Sequence, residues 1–215
     1  MNVMPEILFE DKDVIVVVKP AGVIVHAAPG RTEPVLADRL VRLRPEMALV
    51  GSRERPGVVH RLDIGTSGVM VFAKTQRAYL KLRAAFESHR EVGKTYLAVL
   101  HGAPKQRRGT LDGPIGRDRK RAISHWEVLE RRGPLALVEF RIETGRMHQI
   151  RIHAAELGHP IVGDDLYGDR LKDRRLAVRP TRPLLHAVEL TFPHPVTGRP
   201  MTFAAPPPPD VLYAR

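Results

Sequence analysis

Cysteine is absent from all 215 residues. That removes disulfides, cysteine zinc sites and a thiol nucleophile from consideration. Long apolar runs are absent too, and none approaches the roughly 20 residues that a membrane-spanning helix needs. The opening Met1-Asn2-Val3-Met4-Pro5-Glu6 lacks the basic and then apolar layout of a secretory signal. The cytoplasm is therefore the expected compartment, with no membrane partner. Histidines at metal spacing are also missing. His148 and His153 stand five apart, on different faces of a helix, and the Glu of the helical metalloprotease pair is not there. No metal is expected. Clustered carboxylates of the kind a metal-dependent nuclease uses are not found, nor is a helix-turn-helix signature.

What the chain has in excess is positive charge. Lys and Arg total 35 against 24 acids, a net charge of +11. Such a surplus favours a polyanionic partner, because each cation near a phosphate releases a condensed counterion. Charge alone does not separate RNA from DNA or from an acidic surface. The apolar share of 43% is that of a globular protein, and the length suits one domain with a real core.

Strand-like and helix-like stretches alternate. The β-branched run from Val14 to Val18 reads as a buried strand, and residues 69–73, 95–100, 125–129, 137–142, 184–192 and 201–203 read as further strands. A short helix is expected over 35–43. Another is expected over 75–89, with Ala78, Leu82, Ala85 and Phe86 on one face and Thr75 as N-cap. A third is expected over 147–157, with Met147, Ile150, Ala154 and Leu157 in one stripe, Gly158 as left-handed cap and Pro160 beyond. Residues 29–34 and 164–182 read as loose surface loops, and the Pro206–Pro209 run as an extended tail. The fold class is α+β, a single domain over 1–215 with a mixed or mostly antiparallel sheet flanked by helices and loops.

Three blocks carry chemistry. His60-Arg61-Leu62-Asp63-Ile64-Gly65-Thr66-Ser67-Gly68 can present a carboxylate from a loop that an apolar strand holds still, although a turn whose Asp63 caps a backbone amide has the same residue types. Thr144-Gly145-Arg146-Met147-His148-Gln149-Ile150-Arg151 puts His148 and Arg151 three apart, on one helix face. Such a face can bind phosphate or hold a carboxylate, or it can simply be a solvated basic helix. Lys94-Thr95-Tyr96 lies in a strand, where a Tyr by itself is ordinary packing.

In order and at their spacing, these blocks resemble the RluA-type RNA pseudouridine synthases. The likeness extends to Lys19-Pro20-Ala21-Gly22, Gly158-His159-Pro160-Ile161, Gly163-Asp164 and Leu185-His186-Ala187, and so covers nearly the whole chain. The resemblance implies Asp63 as the catalytic residue and Tyr96 as the residue that stacks on the target base. It implies Arg151 as the partner of the catalytic carboxylate and Arg61 as the base-flipping residue. His60, Arg146 and His148 join Arg61 as expected RNA contacts. No organic cofactor is implied. Arg117, Arg119, Lys120 and Arg121, and the stretch 170–175, are basic clusters that can contact phosphates or simply be solvated, with the phosphate reading favoured. The family often has Thr where this chain has Ser124, so the hydroxyl is kept. Many relatives carry an N-terminal RNA-binding domain, and none is expected here. The expected partner is a stem-loop of tRNA or 23S rRNA, met by a monomer with no obligate protein partner. The alternative is a catalytically silent RNA-binding or ribosome-assembly protein of the same fold, which would have no need of an acid facing a polyanion.

Overall fold

The computed structural model describes residues 4–26, 35–88, 91–116 and 118–212. The backbone falls into two compact units, residues 1–92 with 189–205, and residues 93–188 with 206–215. The expected loop at 29–34, His89 and the basic Arg117 lie outside the described residues. Among the described residues, no helix is long and apolar enough to cross a membrane.

The first unit is built on β1 (Glu6–Glu10), β2 (Val14–Lys19), α1 (Leu36–Leu43), two-residue strands β3 (Gly51–Ser52) and β4 (Arg55–Pro56), β5 (Ser67–Ala73) and α2 (Gln76–Ser88). Strand β2 pairs antiparallel with β1 on one side and with β5 on the other. Covered on both faces, β2 needs apolar residues at every step, and Val14 to Val17 are fully buried. Helix α2 lays Ala78, Leu82 and Phe86 against Val14, Val16, Val69 and Val71. Thr75 Oγ1 accepts from the Ala78 amide at 3.2 Å, the expected N-cap. Glu10 takes hydrogen bonds from Arg44 and Lys74, which hold its carboxyl down at about 2 and tie β1 to the ends of α1 and β5.

The second unit contains β6 (Gly93–His101), β7 (Arg108–Ile115), β8 (Lys120–Arg132), β9 (Leu135–Ile142), α3 (Gln149–Glu156) and the four-residue helix α4 (Arg170–Asp173). Its strand order is β6-β9-β8-β7, antiparallel throughout. Val138, Phe140 and Ile142 share one face, as the alternation implied. There they meet Ala98, Leu100, Trp126 and Val128, and Ile150 and Ala154 of α3 close over them. Strand β10 (Leu185–Pro193) begins in this unit and ends in the first, where β11 (Pro200–Ala204) pairs with it. The short helix α5 (Pro209–Leu212) follows, with Val211 fully buried, so the proline run ends in a docked turn.

Two expectations need correction. Helix α3 begins at Gln149, because His148 adopts φ 56, ψ 21, a left-handed conformation that stops the helix there. Met147 is 72% exposed, outside the apolar stripe, and His148 is not on a helix face with Arg151. The stretch 164–182 is not a loose loop where it starts. Asp164 is buried, and Asp173 Oδ1 accepts from the Gly163 amide at 3.0 Å and lies 2.8 Å from His101 Nε2.

The approach to the Asp63 loop depends on Gly57. Its φ is +68, its amide and carbonyl bond Val50 O and Ala73 N, and a Cβ there would stand 2.5 Å from the Ala73 carbonyl. Gly57→Ala is expected to cost at least about 1–3 kcal/mol through backbone strain and that clash. A thermal melt of the variant against wild type reads it, and an unchanged midpoint would contradict this role.

Candidate active site

In the first unit, the loop from His60 to Thr66 is pinned from several sides. Lys19 is fully buried at the end of β2, and its ammonium donates to the carbonyls of Pro20 at 2.9 Å, Val23 at 2.9 Å and Ile64 at 3.1 Å. Ile64 O also accepts from the Gly22 amide at 2.8 Å, and the Thr66 amide closes a turn onto Asp63 O at 3.1 Å. Leu62, Thr66 and Ser67 are buried, Asp63 is half-buried and Arg61 is exposed. Backbone partners thus fix the turn that carries Asp63 and Arg61. His60 sits lower. Its Nε2 accepts from the Val71 amide at 3.1 Å and its ring stacks on Phe86, centroids 4.4 Å apart. A ring that accepts through Nε2 carries its proton on Nδ1, and these contacts make His60 a support of the loop.

In the second unit, Tyr96 lies on β6 opposite Phe140 and packs on the apolar cluster beneath α3. Arg151, on α3, is 5% exposed. Its Nε and Nη2 donate to the two carboxylate oxygens of Asp164, each at 2.7 Å, and Nη2 also donates to Asp165 at 3.0 Å. The guanidinium carbon lies 5.4 Å from the centre of the Tyr167 ring, and Tyr167 OH is 3.2 Å from His148 Nδ1. Burial pushes the Asp164 carboxyl up, but the Arg151 guanidinium and the Tyr167 and Leu166 amides outweigh it and hold it below its ordinary value. The reading of this segment as a solvated basic helix does not hold.

Between β9 and α3 the turn Thr144-Gly145-Arg146 is fastened by Gln149. Gln149 Oε1 accepts from Thr144 Oγ1 at 2.7 Å and from the Arg146 amide at 3.1 Å, and Nε2 donates to Ile123 O and Ser124 Oγ, each at 2.9 Å. Ser124 Oγ is also 2.9 Å from His153 Nδ1. Burial lowers the His153 pKa and so favours the neutral ring. The hydroxyl retained at Ser124 is therefore a structural bond. Beneath the turn lies Lys94, whose Nζ donates to Thr144 O at 3.2 Å, and burial together with Arg146 pushes its pKa down to about 8.

Among the described residues, one group has metal-like donors in proximity: Asp11, Asp13 and His194, within 4.8 Å of one another. Its atoms are engaged in bonds of the fold. Asp11 accepts from the Asp13 and Val14 amides and from His194 Nε2, His194 Nδ1 accepts from the Thr197 amide, and Asp13 accepts from Thr75 Oγ1.

Comparison with known proteins assigns the chain. The family described as RNA pseudouridylate synthase matches residues 13–156. The chain belongs to that family. An uncharacterized RNA pseudouridine synthase of Mycobacterium bovis is 41% identical over 97% of this chain and 71% of its own length. The ribosomal large subunit pseudouridine synthase D of Pseudomonas aeruginosa is 39% identical over 97% and 70%. The solved structure of human RNA pseudouridylate synthase domain containing 4 superposes with a TM-score of 0.79 at 27% identity, covering 96% of this chain and 90% of that one. An RNA pseudouridylate synthase is an isomerase, and RNA is the polyanion that the charge of +11 called for.

In this synthase, sequence reasoning quoted Lys19, Lys94, Gln149 and Asp164 within their motifs but gave them no task, and it passed over Tyr167. A signal for Lys94 was present, since it shares the parity of Tyr96, Ala98 and Leu100 and so points inward. Asp164 was hidden by the charge density of its neighbours.

Removing the Asp164 charge takes the bidentate partner from a buried guanidinium. Asp164→Asn is expected to destabilise the protein by about 3–5 kcal/mol at neutral pH. The carboxyl is held below its unfolded value, so the stabilisation is complete above about pH 4 and is lost as pH falls through the folded value. Thermal melts across pH should show the gap between variant and wild type closing in acid, and a gap constant with pH would refute the assignment.

Proposed function

We propose that Asp63 is the catalytic carboxylate of this synthase, with Tyr96 and Arg151 completing its active site. The observation that carries the reading is the Asp63 loop, a turn clamped by Lys19 and backbone bonds that carries a half-buried carboxylate and an exposed Arg two residues apart. In the reaction the C1′–N1 bond breaks, a C1′–C5 bond forms, the C5 proton leaves and N1 gains a proton. Stacking hides C5, so the nucleotide must be extruded. Arg61, on the open side of the loop, is suited to fill the gap, and Tyr96 to offer its π-face to the base. Asp63 must be ionised to act as nucleophile or as base, and a guanidinium such as that of Arg151 favours the ionised form. The Asp164 clamp fixes that guanidinium in one orientation. Arg146 and His148 are assigned to the RNA strand.

The target is assigned to a uridine in a structured RNA. The name of the Pseudomonas aeruginosa relative makes 23S rRNA the first substrate to test, with a tRNA stem-loop second. The chain is taken to act as one catalytic domain, as a monomer, in the cytoplasm. The family match running from residue 13 to residue 156 includes parts of both units and supports the single-domain reading.

Tritium release from 23S rRNA and tRNA transcripts labelled at uridine C5 tests this directly. Asp63→Asn is expected to lower the rate about 10⁴-fold or more and to leave RNA affinity within about threefold. Full turnover by that variant would overturn the mechanism. Treatment with EDTA is expected to leave the rate unchanged, and a loss restored by added metal would show a metal requirement.

A further inference from the structure

Strand β6 carries a charge to which the mechanism gives no task. Lys94 and Tyr96 stand two residues apart on it, so their side chains leave the same face about 7 Å apart along the strand. That face runs on through Ala98 and Leu100, both fully buried, into the cluster beneath α3. Lys94 is only 8% exposed, yet its ammonium, which has three hydrogens to give, donates to a single carbonyl, that of Thr144. The next charge is of the same sign. Arg146 is oriented by its amide on Gln149 Oε1 and by its Nε on the Arg121 carbonyl at 3.2 Å. Among the described residues, neither cation has a carboxylate partner. Buried charge is ordinarily paired, and two neighbouring cations without a counterion are an arrangement that an anion would relieve. Burial and Arg146 together depress the Lys94 pKa, as an absent counterion would.

The turn also leaves a way in. Gly145 lies between the two cations in sequence and is exposed. Apart from its chain neighbours Thr144 and Arg146, a Cβ placed on it would meet only the Lys94 ammonium, at 3.6 Å, within 4 Å among the described residues. The space above the ammonium is therefore open on the side where Gly145 has no side chain.

We propose that Lys94 and Arg146, with Gly145 as the opening between them, form a subsite for one phosphodiester of the RNA strand, next to the base that Tyr96 receives. That the ligand is RNA rests on the synthase reading, whereas the anion chemistry of the subsite stands on the two cations. A phosphodiester carries one negative charge and two free oxygens, enough to meet the ammonium and the guanidinium together. The subsite holds the strand by its backbone and adds no sequence preference.

The test measures dissociation constants of a uridine-containing RNA stem-loop against salt concentration for the full chain, Lys94→Met and Lys94→Arg, with melting temperatures alongside. Lys94→Met is expected to weaken binding about tenfold at fixed salt. It should also flatten the salt dependence by about one charge, and Lys94→Arg should restore the slope. Stem-loops carrying one neutral methylphosphonate at a time should reveal one position that weakens wild type and has no effect on Lys94→Met. A slope and methylphosphonate profile identical to wild type in Lys94→Met, even with a lowered melting temperature, would reduce Lys94 to a structural cap on Thr144 and overturn the proposal. Arg146→Gln provides a second variant that does not disturb the core, and it too should lose about one charge of slope. An Arg146→Gln slope equal to wild type would also count against the subsite. Pseudouridine formed by wild type in the same reactions separates the two readings. A lost slope without pseudouridine keeps the subsite and sinks the synthase reading, and pseudouridine with an unchanged slope does the reverse.

Discussion

Three carbonyl oxygens on one buried ammonium set the geometry from which this protein works. Lys19 ends a strand whose other residues are β-branched and apolar, and its side chain turns back to bind Pro20, Val23 and Ile64. A fully buried lysine is costly to place, and it is tolerated only when hydrogen bonds replace its water. Here the replacements are main-chain groups of two different loops, so satisfying the charge and fixing the loops are the same event. The Asp63 turn inherits its position from this bond, from the Gly22 amide and from the His60 ring beneath it.

The second unit solves the same problem with an anion. Asp164 receives both Arg151 nitrogens and two backbone amides, and Arg151 lies against the Tyr167 ring as well. A bidentate pair fixes the plane of the guanidinium, which a single bond would leave free to rotate. Being buried, the pair adds little net stability over an apolar substitute of the same shape, although losing one partner is expensive. Its value lies in orientation. Gln149 does comparable work one turn earlier, where a single amide side chain fastens the Thr144–Arg146 turn to β8 through four bonds.

Much of the frame was legible because its causes are local. The β-branched run of β2, the four-residue spacing of Ala78, Leu82 and Phe86, and the Thr75 cap each announce an element within a few positions. What stayed hidden depends on distant partners. Strand β7 reads as turn-like, with two glycines and a proline in eight residues, because alternate positions face outward and Gly109 leaves room for the Trp126 ring across the ladder. The start of α3 was misplaced because helical spacing continues through Met147, while only backbone geometry reveals the left-handed His148. Asp164 and Asp173 sit in a stretch rich in charge, and composition cannot distinguish a buried ion pair from a solvated surface. The residues proposed for the site came from an ordered set of motifs. The residues that hold them were not, since Lys19, His60 and Gln149 owe their roles to bonds made across the fold.

The same division explains where unpaired charge remains. Lys19 has main-chain acceptors, Arg151 has Asp164, and Glu10 has Arg44 and Lys74. In each case a charge taken out of water is matched by a fixed partner, and its task is to hold something still. Lys94 breaks the pattern, with one carbonyl below it, a second cation beside it and an opening above. Where Lys19, Arg151 and Glu10 take partners from the chain itself, Lys94 leaves room for a partner to be supplied. In a family that acts on RNA, the anion available in every substrate is the phosphodiester, and binding it at Lys94 would supply the missing counterion only when substrate arrives. The energy of relieving that repulsion is then realised in the complex, next to Tyr96, the strand residue proposed to receive the target base.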